Sequence, residues 1–282
     1  MPVLVFGATG QIGHFLLPRL LGAGGRVVAL SRQRHARMPG VQWLQGSLPD
    51  AVPALPELRA VISLGPLDAL ARWLAGLERA PALRLLATSS MSVVTKRGSQ
   101  VAAERELGGR LASSEQELAR QCARLGMAWT VLRPTLIYGA GMDRSLTPIA
   151  RRAMRWRLFP VPRARGLRQP VHADDLASAA LAWLDSRAAD GRILAFGGGE
   201  RLPAGEMFAR VRRSLPRAAL PLPVGRPVLA TLAALLPAAR GPVSRLDMDL
   251  VADNGDAERL LGVRARPFRP DAAMWQAPGP RE

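Results

Sequence analysis

Cysteine, tyrosine and lysine are each reduced to a single residue in this chain of 282, and histidine to three. The lone Cys122 excludes an internal disulfide and fits a reducing compartment; on a helical stretch it reads as a small apolar packing residue. Three histidines far apart in sequence give no metal-ligand spacing, so no metal site is expected. Aromatics make up only 5% of the chain, and no zinc-finger, helix-turn-helix or aromatic-interleaved basic pattern occurs, so nucleic acid is not expected as a partner. No apolar run is long enough to span a bilayer: the longest near the C-terminus, residues 228–239, is broken by Pro237. Met1-Pro2 leads straight into an apolar run, without a secretory or transit pattern, and a cytoplasmic location is expected. Internal repeats and low-complexity tails are absent too.

Acidic residues are also short, 22 against 39 basic ones, for a net charge of +17. Lys96 is the only lysine, so the excess is arginine, spread along the whole chain in the manner of a compositional skew. Such a balance favours anionic partners, whether nucleotides, nucleic acid or lipid head groups.

What the chain does have is glycine, and three of its 27 stand at the very start in G-x-x-G-x-x-G. The apolar run 3–6 reads as a buried strand, Gly7 as a tight turn and residues 11–21 as a helix. Gly10 lets backbone approach a pyrophosphate and Gly13 lets the helix lie close to the sheet, with the amides around Thr9, Gln11 and Ile12 facing the phosphates. Strands follow at 26–30, 41–45, 59–64, 83–87 and 128–132, with helices at 67–78 and 101–125. This alternation specifies an α/β fold, a doubly wound parallel sheet of Rossmann type. Ligands of such sheets bind at the carboxyl ends of the strands. The loops there bring Ser31, Arg32 and Arg34, then Ser47 and Leu48, then Leu64, Gly65 and Pro66, then Thr88. At the second strand's end an acidic residue would hold a ribose; Ser31-Arg32-Gln33-Arg34 stands there instead. A carboxylate repels a 2′-phosphate and arginine can grip one, so NADP(H) is expected in preference to NAD(H).

After residue 142 the pattern changes. Residues 149–168 are rich in arginine and proline with little strand character, while a helix is expected to about Asp185, a strand at 193–196 and a helix at 203–215. Residues 1–142 are read as the dinucleotide-binding domain, with sheet elements also drawn from 165–200, and 143–282 as a smaller substrate lobe.

Together these segments resemble the extended short-chain dehydrogenase/reductase family, in particular its NAD-dependent epimerase/dehydratase group. Residues 132–139, Leu-Arg-Pro-Thr-Leu-Ile-Tyr-Gly, are similar to that family's strand and loop beside the nicotinamide, which implies cofactor contacts for Pro134 and Leu136. Residues 168–175 are similar to its substrate-lobe motif, where an arginine four residues before a histidine holds a substrate diphosphate; that implies substrate binding by Arg168, while Tyr138 reads as lining the substrate pocket or packing in the core. Residues 193–200 and 253–262 are similar to its C-terminal elements. In that family a Tyr and a Lys four residues apart on the long helix move the proton, and a Ser or Thr at the fifth strand's end holds the reacting oxygen. Ser90 falls at the serine position. Leu111 and Glu115 fall at the other two, and no register can bring Tyr138 and Lys96 one helical turn apart. One placed acid/base group contributes ~10²–10⁴ in rate, so the resemblance implies an atypical oxidoreductase or epimerase-like enzyme that does not use the usual Tyr/Lys mechanism. Its substrate would be a nucleotide sugar or small carbonyl compound. A non-catalytic NADP(H)-sensing protein that regulates a partner remains the alternative, and a homodimer is left open. The arginines between 144 and 168 border the expected cleft and read as a polyanion site or as a solvated face.

Overall fold

The computed structural model describes residues 1–276 and 279. The first half alternates strand and helix: β1 (Val3–Phe6), α1 (Gln11–Gly22), β2 (Val27–Ser31), β3 (Val41–Gln45), β4 (Ala60–Ser63), α2 (Leu67–Ala75), β5 (Arg84–Thr88), α3 (Ser92–Thr95), α4 (Ala102–Arg124) and β6 (Ala128–Pro134). The second half is more broken: β7 (Ile137–Tyr138), α5 (Leu146–Trp156), β8 (Leu158–Pro162), β9 (Leu167–Arg168), β10 (Val171–His172), α6 (Ala173–Asp185), β11 (Arg192–Phe196), β12 (Leu202–Pro203), α7 (Ala204–Arg213), β13 (Leu220–Val224), α8 (Arg226–Leu235), α9 (Pro237–Ser244) and α10 (Gly255–Leu261).

Seven strands form one parallel sheet in the order β11-β6-β5-β4-β1-β2-β3. The sequence explains its burial on both faces. Along β1, Val3 and Val5 enter one apolar cluster with α1 and α6, while Leu4 and Phe6 enter another with α2 and α4. Every side chain of such a strand must be apolar, and every one is. Leu16 and Leu17 of α1 are fully buried in the first cluster; truncating either to alanine would cost about 2–5 kcal/mol.

β11 adds the seventh strand from late in the chain, and α6 packs beside α1. A third apolar cluster, with Tyr138, Leu146, Phe159, Met207, Phe268 and Trp275, lies among the second-half elements. Residues 149–168, expected to lack strand character, carry most of α5 and all of β8. The helix forms because the Asp143 carboxylate accepts the amides of Ser145, Leu146 and Thr147 at its start. The strand forms because β13 pairs with it in parallel, Leu220 opposite Leu158. Among the described residues no helix is long and apolar enough to cross a membrane.

Candidate functional site

The sheet order reverses between β1 and β4, since the chain winds outward through β2 and β3 on one side and through β5 and β6 on the other. A crevice at the strands' carboxyl ends is unavoidable there. The glycine loop sits in it. Gly7 has φ 75°, and a Cβ on it would lie 2.9 Å from the carbonyl carbon of Leu64 in the neighbouring loop. On Gly13 a Cβ would stand 2.3 Å from the Ala8 carbonyl oxygen, so only glycine lets α1 start against the loop. α1 has no acidic residue in its first turn and no side-chain cap. Its first amides, at Gln11, Ile12 and Gly13, therefore lack helical acceptors and carry the positive end of the helix dipole. Two polar atoms nearby, Gln11 Oε1 and Ser89 Oγ, are buried without a hydrogen-bond partner among the described residues. A cradle of open amides, closed to any Cβ, fits a pyrophosphate.

Three chambers follow one another along this edge. The first, about 750 Å³, is lined by Gly7, Thr9, Ser31, Arg32, Ser47, Leu48, Gly65 and Pro66 among others. The second, about 280 Å³, shares Gly7, Gly65 and Pro66 with it and adds Gly10, Gln11, Ile12, Leu64, Thr88, Ser89 and Leu111. The third, about 260 Å³, begins at the next residue, Ser90, and takes in Lys96, Pro134, Thr135, Leu136, Arg168, Gln169 and Arg245. Their combined volume suits an extended ligand rather than a small one.

Arg34 stands outside these chambers, its Nε donating to Gln45 Oε1 at 3.5 Å. Ser31 Oγ lies 2.8 Å from His35 Nε2 and accepts the Gln33 amide. Pro134 and Leu136, expected at the cofactor, line the Ser90 chamber.

Tyr138 requires a correction. It is fully buried between His172 and Phe268, edge to face with ring centroids 5.1 and 4.8 Å away, and lines none of the three chambers. Burial raises its phenol far above the ordinary value. A phenol in an apolar core keeps its proton. Arg168 reaches the third chamber, but its terminal nitrogens donate to the carbonyls of Leu167, Arg245, Leu246 and Met248. It straps the 245–248 segment to β9 and has little left for a diphosphate. His172 caps α6, its Nδ1 accepting the Asp174 amide at 3.1 Å.

On α4, Leu111 faces the second chamber as a hydrocarbon wall. Glu115, one turn further, is 3% exposed and ion-paired with Arg133 of β6, whose Nε donates to Oε1 at 2.9 Å. Ser90 Oγ accepts the Ser92 amide at 3.1 Å, which leaves its proton free to point into the chamber.

Lys96 is the residue that sequence reasoning missed. It follows α3, one turn beyond the serine loop, and lines the Ser90 chamber, its ammonium 3.9 Å from Glu104 Oε1. Burial and then Arg245 push its pKa below the ordinary lysine value. Its uniqueness in the chain was the available signal. Thr135, Gln169 and Arg245 were not legible, because they come from three separate segments. Among the described residues no cluster of His, Cys, Asp and Glu could hold a metal.

Residues 3–70 match the model of a family described as the NAD dependent epimerase/dehydratase family. Among solved structures, the chain superposes on MoeE5 in complex with UDP-glucuronic acid and NAD at TM-score 0.76, with 19% identity over 98% of each chain. The UDP-glucuronic acid 4-epimerase from Bacillus cereus in complex with NAD gives 0.75, with 14% identity over 98% of this chain and 97% of that one. The UDP-N-acetylglucosamine 4-epimerase from the same organism gives 0.72, with 15% identity over 98% and 94%. The fold is that of these three structures. A comparison with curated proteins found no match.

These structures overturn the expected preference for NADP(H). MoeE5 and the UDP-glucuronic acid 4-epimerase hold NAD. The geometry explains why the arginines misled. Of the two arginines expected at a 2′-phosphate, Arg34 is turned away to Gln45 and only Arg32 reaches the chamber.

Proposed function

We propose that this chain is an NAD(H)-binding oxidoreductase or epimerase-like enzyme that acts on a nucleotide sugar or small carbonyl compound without a Tyr/Lys proton relay. The observation that supports this reading is the pair of joined chambers from Ser31 through the glycine loop to Ser89, with a third chamber lined by the next residue, Ser90. Ser31, Arg32, Ser47 and Leu48 would hold the adenosine end, the amides of residues 11–13 the pyrophosphate, and Thr88 and Ser89 the nicotinamide end. NAD supplies hydride exchange when bound.

The chain's own residues do the rest. Ser90 Oγ donates to a substrate carbonyl oxygen and polarises it. Lys96 Nζ, its proton loosened by burial, holds positive charge where oxygen becomes anionic and can pass a proton toward it. Leu111 keeps water out of the second chamber and exchanges no proton. Glu115 is held by Arg133 and does not act as base. Lys96 donates in carbonyl reduction and, by microscopic reversibility, accepts in alcohol oxidation, a contribution of roughly 10²–10⁴ in rate in either direction.

A second reading, an NAD(H)-sensing protein without turnover, is favoured by the same Leu111 and by the Glu115–Arg133 pair. Ser90→Ala separates the two. In an NADH-oxidation assay over carbonyl compounds and nucleotide sugars, the variant should lose about 10²-fold in rate with NADH affinity unchanged by calorimetry. Tight NADH binding with no consumption by either protein refutes the enzyme reading and supports the sensor.

A further inference from the structure

α8 carries Val228, Leu229, Leu232 and Leu235, with Leu236 one residue beyond its end. The spacing i, i+4, i+7, i+8 places Val228, Leu232, Leu235 and Leu236 on one helical stripe. In a globular protein that stripe faces the core; here it faces outward. No residue of α8 is buried, and Leu235 is 72% and Val228 55% exposed. The chain reaches this helix directly from β13, where Leu220 and Leu222 stand exposed on the same face of the strand. Leu220 lies opposite Leu158, which follows Trp156, itself 63% exposed.

The stretch of chain that carries these groups has an excess of positive charge. Between Glu206 and Asp247 there is no acidic residue, but there are seven arginines. Arg226 is shared with Asp247, Arg245 with Glu104, and Arg210 and Arg213 with Glu206. Arg217 and Arg240, with Arg155 and Arg157 beside Trp156, are exposed and have no acidic partner among the described residues. A second copy of this chain would set these arginines against their own kind. An anionic bilayer surface would take both the stripe and the charge.

We infer that α8, together with the exposed β8–β13 edge, docks the protein on the surface of an anionic lipid bilayer. Leucines and Trp156 enter the head-group boundary, and the unpaired arginines meet lipid phosphates. α8 is only ten residues long and Pro237 starts α9 immediately after it, so the contact lies in the plane of the interface and does not cross it.

The test is flotation of the full chain with phosphatidylcholine vesicles containing roughly 30 mol % phosphatidylglycerol, and with pure phosphatidylcholine. The wild type should float with the anionic vesicles alone and be released by about 0.5 M salt. The variant L232E/L235E changes only exposed positions, so circular dichroism and NAD binding should match wild type while vesicle partitioning falls at least about tenfold. Failure of wild type to float overturns the inference. So does equal flotation of the variant, which would mean adsorption by charge alone. A wild-type dimer that L232E/L235E splits, with no vesicle binding, overturns it in favour of a second copy.

Discussion

Asp174→Asn tests how the two halves of the chain are fastened. Asp174 stands in the first turn of α6 and accepts a forked pair from Arg19 of α1, at 2.6 and 2.8 Å. Arg266, near the C-terminus, adds a third donor at 2.8 Å. Arg19 first, then Arg266, hold the carboxyl at about 2, against an ordinary 3.8. A depression of that size corresponds to about 2.4 kcal/mol by linkage, which solvent screening at this half-wet site reduces to about 1–2 kcal/mol. The folded value lies below the unfolded one. The stabilisation is therefore present above about pH 4 and fades as pH falls toward 2. Urea denaturation near pH 7 should show the asparagine variant less stable by about 1–2 kcal/mol, with the two proteins converging as pH is lowered from about 4 to 2.5. Equal stability at neutral pH, or a gap that does not narrow in acid, would refute the reasoning.

Glu115→Lys should destabilise the fold by about 3–5 kcal/mol in the same assay, because it leaves Arg133 facing a second buried cation; an unchanged midpoint would mean the pair is dispensable. Gly13→Val must push backbone apart at the Ala8 carbonyl. It is expected to cost about 1–3 kcal/mol and to abolish the heat of NAD titration, and undiminished binding would sink the glycine-loop assignment. Burial pushes the Cys122 thiol up to about 12, so a maleimide should leave the native chain unlabelled at neutral pH and label it promptly in urea. Native labelling at the rate of a free thiol would contradict its burial.

The parallel sheet was readable because β1 is apolar at every position and the other inner strands are apolar runs with polar residues mainly at their ends, and because glycines at 7, 10 and 13 admit few alternatives. α5 was readable in principle from Asp143, whose carboxylate caps it, but the arginines and Pro148 around it obscured the signal. β8 and β13 could not be read locally. Each is proline-bearing, and each is a strand only because the other lies beside it. The site divides in the same way. Residues on one loop, such as 7–13 or 64–66, were visible as a group. Tyr138 and Arg168 were placed by motif, and tertiary packing then turned one into the core and the other onto backbone carbonyls. Lys96 reaches the Ser90 chamber because the short α3 follows the serine loop at once and ends at this lysine, a turn that no periodicity announces.

The Glu115–Arg133 pair also bears on ancestry. Suppose a lineage carrying these residues were selected to install a phenol at 111 and an ammonium at 115. Changing the glutamate first leaves a half-buried guanidinium without its partner, and changing the arginine first strands a buried carboxylate. Each single change at 115 or 133 costs foldability on its own, so the two positions can change only together.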